Sequence, residues 1–307
     1  MLIRRDYRDY TGGHGKFRDY IAHVDAHPAW SAAVYLTPAS ARAPGNPFMD
    51  VPGRVQRWDP LAADALLLGG MDWAAVPAGD LRETVPVLNL VQHVRHAQAG
   101  APWRGFLARR AIRICVSKAV ADAIAATGEV NGPVRVIPAA VDTDLLARIG
   151  RAAPVRDVFI DAVKQPALGR LLAAALAPTG LRVVLHDVRR DRPGYLDAMA
   201  AAEIVVTLPD PAEGFYLPGL EALAMGRALV QYDCVGSREY LHDGVNALVP
   251  AREVGAIARA VLALTTDHGL RERLRAEAGA TAARFDLVVE RAHVHQLLDE
   301  LDELWTR

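Results

Sequence analysis

Short runs rich in Leu, Ile and Val recur along the chain, separated by longer stretches in which Ala, Leu and Arg repeat at helical spacing. Such alternation is the pattern of strand-helix units stacked on parallel sheets, so the chain reads as α/β. Strands are predicted over 2–4, 32–36, 65–68, 85–91, 112–116 and 134–137. A second series covers 155–161, 181–187, 203–208, 228–232 and a short 247–249. Helices fill the intervals, and the one from about 118 to 127 stops at Gly128, where glycine takes the left-handed conformation that closes a helix.

Between the two series lies AAVDTDLLARIGRAAP, low in apolar β-formers and closed by Pro154. It is read as the connection between two Rossmann-like domains, 1–150 and 151–307, that face each other across a ligand crevice at the carboxyl ends of their strands. From Asp286 to Trp305, the residues Leu287, Val294, Leu297, Leu298, Leu301, Leu304 and Trp305 fall at helical spacing, so the chain should end in an amphipathic helix packed on one domain or both. Composition narrows the possible partners. With 35 Lys and Arg against 36 Asp and Glu, the net charge of −1 provides no global basic field, so no nucleic acid partner is expected. The 2 cysteines, Cys115 and Cys234, exclude a disulfide-rich scaffold and fit a reducing compartment, the cytoplasm by default. Neither a leader segment nor a run of apolar residues long enough to span a membrane is apparent.

The chemistry concentrates in EGFYLPGLEALAMGRALVQYDCVGSREYLHDGVNALV, from Glu213 to Val249. Pro218 sits where a helix would begin, since its missing N–H costs nothing at the first helical position. The amides of Gly219 and Leu220 should then remain free and, with the helix dipole, seat an anion such as a diphosphate. Glu213 and Glu221 bracket that seat, and a carboxylate accepts two hydrogen bonds from a vicinal diol, as found on a nucleotide's ribose or a hexose. By spacing alone, Glu213 serves equally well as a cap for loop amides and Glu221 as a solvated helix residue.

This stretch resembles the Glu-x7-Glu region of retaining GT-B glycosyltransferases, most closely those of family 4. The resemblance extends to VSKAVADAIAATG with VRVIPAAVDTDLL, and to TGGHGKFRDYI, which is similar to the family's Gly-Gly loop opening the first helix. It implies a GT-B fold with the acceptor side in the first domain and the donor side in the second. Glu213 would then contact donor sugar hydroxyls and Glu221 the ribose, while Gly214, Phe215, Tyr216 and Leu217 line the diphosphate and sugar with their backbone. Gly12 and Gly13 would let the main chain approach the phosphate or the reacting carbon without a Cβ in the way. Lys164 resembles the family's phosphate-contacting lysine and would stabilise charge on the leaving group. His93 matches the first-domain histidine near the donor sugar and acceptor, with His96 one turn on; a structural histidine is the competing reading.

The resemblance further implies transfer with retention from a UDP- or GDP-linked sugar to a hydroxyl of a glycan, a lipid-linked acceptor or a small molecule, with no metal and no cofactor. Two departures stand out: the residues before Lys164 read Phe-Ile-Asp-Ala-Val, with Asp161 and no arginine, and Ala139-Ala140 replaces Asn-Gly. They motivate an alternative, a GT-B module that binds the nucleotide sugar without turning it over. Asp142-Thr143-Asp144 has the look of a metal motif but is read as a helix cap. The basic, aromatic PWRGFLARRAIR, 102–113, suggests either a peripheral membrane contact or a solvated crossover helix. A dinucleotide-binding dehydrogenase is disfavoured because YTGGHGKF lacks the GxGxxG spacing.

Overall fold

In the computed structural model, which describes residues 1–43, 45–77 and 85–306, the chain forms two compact units. One comprises Met1–Ala139 with Val288–Arg307, the other Ala140–Leu287.

The first unit carries β1 (Leu2–Arg5), α1 (Gly12–Asp25), β2 (Ala33–Leu36), β3 (Arg54–Val55), β4 (Leu66–Leu68), β5 (Val87–Val91), β6 (Ile112–Cys115), α2 (Lys118–Ala125) and β7 (Val134–Val136). Its strands form one parallel sheet in the order β3-β2-β1-β4-β5-β6-β7. The order reverses on either side of β1, so the carboxyl ends of β1 and β4 flank a crevice. Ile3, Val34, Leu66, Leu67, Leu68, Leu88, Leu90, Ile112 and Ile114 are buried, as strands covered on both faces require. Ser117 caps α2 by accepting from the Val120 amide at 3.1 Å, and Gly128 beyond the helix end has φ +67°.

The second unit contains α3 (Thr143–Gly150), β8 (Arg156–Asp161), α4 (Pro166–Leu176), β9 (Val183–His186), α5 (Arg192–Ala200), β10 (Ala202–Thr207), α6 (Leu217–Ala224), β11 (Ala228–Gln231), α7 (Val254–Thr266) and α8 (His268–Ala283). Its parallel sheet runs β11-β10-β8-β9, with the order reversing between β8 and β10. Val158, Ile160, Ile204, Val206 and Val230 pack against Leu172 of α4, Ile257 and Val261 of α7, and Leu274 of α8.

The chain ends in α9 (Leu287–Asp299) and α10 (Leu301–Thr306), two helices where the periodicity suggested one. From Val288 onward they belong to the first unit, so the boundaries differ from 1–150 and 151–307. The stretch read as a connection is instead part of the second unit: α3 packs on α6, and Arg227 donates to the carbonyls of Gly150 at 2.5 Å and Ala152 at 3.1 Å. Asp142 caps α3, accepting from the Leu145 amide at 2.8 Å. In place of the short strand 247–249, Ala247 and Leu248 form isolated bridges.

The basic stretch 102–113 is no amphipathic helix. It holds one 3-10 turn, Arg104–Ala108. Arg109 donates to the carbonyls of Trp73, Val76 and Pro77, Arg110 to that of Trp305, and fully buried Arg113 to Asn89 Oδ1 at 2.9 Å. Arg104 pairs with Glu129 at 2.8 Å. A membrane-surface helix needs its cations free on a polar face, and here they are committed to the fold. Among the described residues no helix is long and apolar enough to cross a membrane.

A buried charge cluster ties the chain's last segment to α1. Lys16 Nζ meets Glu290 Oε2 and Asp19 Oδ2, each at 2.8 Å, and His23 Nε2 lies 2.9 Å from the same Glu290 oxygen. Burial opposes the charge on Lys16, but the Glu290 and Asp19 carboxylates hold its ammonium above the usual lysine range. Removing one partner strands the other in a low dielectric, so Lys16→Met should cost about 3 kcal/mol or more in denaturant unfolding. The double variant Lys16→Met/Glu290→Leu should recover most of that loss; equal destabilisation of the single and double variants would contradict the pairing.

Candidate active site

The reversal point of the second sheet gathers most of the residues singled out by sequence. Asp161 ends β8, and Lys164 follows in the turn before α4. The loop after β10 carries Glu213, Gly214, Phe215 and Tyr216, and α6 begins at Leu217 and bears Glu221. Glu213 and Glu221 are 6% and 2% exposed, which excludes the solvated reading of Glu221. Carboxylates so buried require cations. Glu213 is paired with Lys164, whose ammonium also lies 5.4 Å from the centroid of the Tyr216 ring, within cation–π range. Glu221 Oε1 is 2.5 Å from Arg192 Nη2. Glu221 Oε2 is buried with no hydrogen-bond partner among the described residues.

Asp161 links these two ion pairs. Burial pushes its carboxyl up to about 6, and the Glu221 charge adds to the rise against the pull of the Val163 amide, Tyr195 and Lys164. The Tyr195 hydroxyl donates to Asp161 Oδ2 at 3.3 Å. Three buried carboxyl groups thus share two cations that are themselves half-exposed.

The loop 213–216 is held rigidly. The Tyr216 amide donates to the Gly236 carbonyl at 3.0 Å, and the Tyr240 hydroxyl donates to the Tyr216 carbonyl at 2.5 Å. The Phe215 ring packs against Tyr240 and Phe285. Gly236 is required by this approach, because a Cβ there would fall 2.9 Å from Phe215 Cα.

One expectation is corrected. The amides of Gly219 and Leu220 are not an open anion seat: both residues are buried, and the Tyr240 hydroxyl stands close against Gly219. A Cβ on Gly219 would stand 2.3 Å from Gln231 Oε1 and 2.6 Å from the Tyr240 hydroxyl, so protein groups fill that first turn. Leu217, half-buried at the mouth of the helix, is one turn nearer the surface, and among the described residues nothing accepts from its amide.

The remaining predicted residues belong to the first unit. Gly12 and Gly13 are the opening residues of α1, whose cap Thr11 accepts from the His14 amide at 3.3 Å. Gln92 Nε2 donates to the Gly13 carbonyl at 3.4 Å, tying this turn to the segment just past β5. His93 comes next in the chain. Its Nδ1 accepts from the Arg95 amide at 3.1 Å, so in the neutral ring Nε2 carries the proton and is a donor. His96 packs on Trp103, and burial pushes it down to about 4. Cys234 is buried beside Ser237, its thiol pushed up to about 11 by burial, and Cys115 is likewise raised to about 12. Neither is a reactive thiol.

Sequence reasoning missed Arg192, Tyr195 and Gln92, and treated Asp161 only as a departure. Arg192 had a signal: an arginine followed by Pro193 at the start of a helix that follows a strand's carboxyl end is placed to reach the crevice.

Residues 159–267 match the family described as glycosyl transferases group 1. D-inositol 3-phosphate glycosyltransferase of Kribbella flavida is 33% identical over 177 residues, covering 48% of this chain and 42% of that protein. Phosphatidyl-myo-inositol mannosyltransferase of Mycobacterium leprae is 32% identical over 110 residues, covering 36% and 29%. The chain therefore spans less than half the length of these curated relatives. Anabaena HepE in complex with UDP and glucose has a TM-score of 0.75 at 17% identity over 98% of this chain and 99% of that one. The fold is GT-B. Two further GT-B structures agree: sucrose-phosphate synthase from Thermosynechococcus elongatus, with a TM-score of 0.69 at 12% identity over 98% of each chain, and the lipopolysaccharide outer core galactosyltransferase WaaB, with 0.66 at 13% over 97% and 98%. In this GT-B chain the match to the group 1 family covers the elements that carry Lys164, Arg192, Glu213 and Glu221.

The Asp161 carboxyl gives a pH test. Its proton is held more tightly in the folded chain than in the unfolded one, so the stability it contributes is present below about 4 and lost as pH rises through about 6. Asp161→Asn should therefore gain on the wild type, by on the order of 2 kcal/mol, between pH 4 and pH 7 in parallel unfolding titrations. An offset independent of pH would contradict the assignment.

Proposed function

We propose that this chain is a retaining, metal-independent GT-B glycosyltransferase that moves a sugar from a nucleoside diphosphate donor to an acceptor hydroxyl. The observation that carries the reading is the pair of buried acids at the sheet's reversal point, Glu213 on Lys164 and Glu221 on Arg192, with Glu221 Oε2 unpartnered among the described residues. An oriented, desolvated acceptor oxygen suits a ribose hydroxyl, and a carboxylate on a neighbouring loop suits hydroxyls of the transferred sugar. Anabaena HepE is described with UDP and glucose and with UDP-glucose, which favours a UDP donor for this chain too.

In this reading the diphosphate lies at the mouth of α6, against the Leu217 amide and the backbone of 214–216, with Lys164 turned from Glu213 toward the leaving oxygen. From the first unit, the resemblance carries over Gly12 and Gly13 as positions where the main chain is open to a ligand and His93 as a hydroxyl-binding residue. Transfer breaks the bond between the anomeric carbon and the diphosphate oxygen and forms the bond to the acceptor oxygen on the same face. The acceptor's proton passes to the departing phosphate oxygen. No protein nucleophile is needed, and the chain contributes positioning and electrostatics. Both curated relatives are named for inositol compounds, so inositol and its phosphates are the first acceptors to try.

Thermal shift and calorimetry against UDP, GDP and their sugars test this. A bound donor should stabilise the chain by about 2.7 kcal/mol at a hundredfold excess over Kd. Glu213→Gln should keep nucleoside diphosphate binding while lowering transfer at least about 100-fold, the scale of one lost transition-state contact. A flat response to every nucleotide contradicts the reading. Binding without transfer or hydrolysis across the acceptor panel supports the non-catalytic module, which the missing arginine before Lys164 independently suggests.

A further inference from the structure

Arg192 opens α5 after β9, one crossover away from the helix that carries Glu221. Its guanidinium is half-buried at 35% exposure, whereas the Glu221 carboxylate is 2% exposed, so the charge of the buried acid is met from the solvent side. The neighbouring acid on α5, Asp191, is committed to the Gly194 amide at 3.0 Å as the helix cap. Tyr195, one turn on, lies 5.7 Å below the guanidinium and donates to Asp161. The amino end of α5 therefore attends to both Glu221 and Asp161.

A guanidinium is planar and permanently charged, so where it grips one carboxylate oxygen it fixes the orientation of the other. Here Oε1 is taken and Oε2 is left as a buried acceptor without a partner among the described residues. A buried acceptor with no donor is costly, and a ligand hydroxyl relieves that cost.

We propose that Arg192 is a positioning residue for ribose recognition: by holding Oε1 of Glu221 it presents Oε2 to a hydroxyl of the donor's ribose, so that ribonucleotides are preferred over deoxyribonucleotides. The inference rests on the nucleotide-sugar reading of the site. Arg192 touches no reacting atom and acts through Glu221.

Calorimetric titration of wild type and Arg192→Met with UDP, 2′-deoxy-UDP and 3′-deoxy-UDP, or with the guanosine series if GDP binds better, tests it. Wild type should prefer the ribonucleotide over at least one deoxy analogue by about 10- to 100-fold, the range for a hydrogen bond to a charged group. Arg192→Met should weaken UDP binding about 10-fold or more and shrink that preference to about 3-fold or less. Equal weakening of all three ligands, with the preference intact, marks a contact to the phosphates or a purely structural role and overturns the proposal. So does a wild type without preference. A wild type that binds no nucleoside diphosphate overturns the reading of the site itself, which is a separate outcome. Should the Met variant fail to fold, the same ratio in Arg192→Gln decides, an unchanged preference counting against the proposal.

Discussion

The structure of the site depends on keeping acids charged where water is scarce. Glu213 and Glu221 lie at the carboxyl edge of the second unit's sheet, and each has one cation brought from a different crossover, Lys164 from the turn before α4 and Arg192 from the start of α5. Desolvating a carboxylate costs several kcal/mol, and a buried pair compensates only when its geometry is held. The parallel sheet holds it: β8, β9 and β10 end side by side, so the loops leaving them converge. The third acid, Asp161, is ion-paired with no cation among the described residues and is instead held toward neutrality by burial.

Rigidity comes from the opposite side of the α6 loop. Tyr240 and Gly236 clamp Tyr216, and the Tyr240 hydroxyl also stands against Gly219 in the first turn of α6. The first turn of α6 is thus filled by protein groups, and its outermost amide, that of Leu217, has no acceptor among the described residues. A loop fixed in this way presents Glu213 in one orientation, which is what preorganisation requires.

Much of this was legible in the chain. Runs such as 65–68 and 204–206 are wholly apolar, as a doubly covered strand requires, and Ser117, Asp142 and Gly128 mark helix ends by their own local chemistry. The α6 region was legible because Pro218 and the acids at 213 and 221 are local signals. What was not legible depends on contacts distant in sequence. Tyr240 lies too far along the chain for spacing to place it against Gly219, and nothing near Arg113 announces that a cation will be buried against Asn89. The unit boundary was misplaced because α3 buries little apolar surface of its own, Leu146 being its buried residue, and is held by Arg227 just past the carboxyl end of α6. Strand β3, two exposed residues at a sheet edge, has no hydrophobic signature to read.

The central claim is that the unpartnered Oε2 of Glu221 is an acceptor for a nucleotide's ribose. A crystal structure of the chain with a bound nucleoside diphosphate sugar tests it most directly. The account predicts a ribose hydroxyl within about 3.2 Å of that oxygen, with Arg192 still on Oε1 and the diphosphate at the Leu217 amide. A donor bound elsewhere, or one whose ribose turns away while Oε2 stays unpartnered, would contradict it.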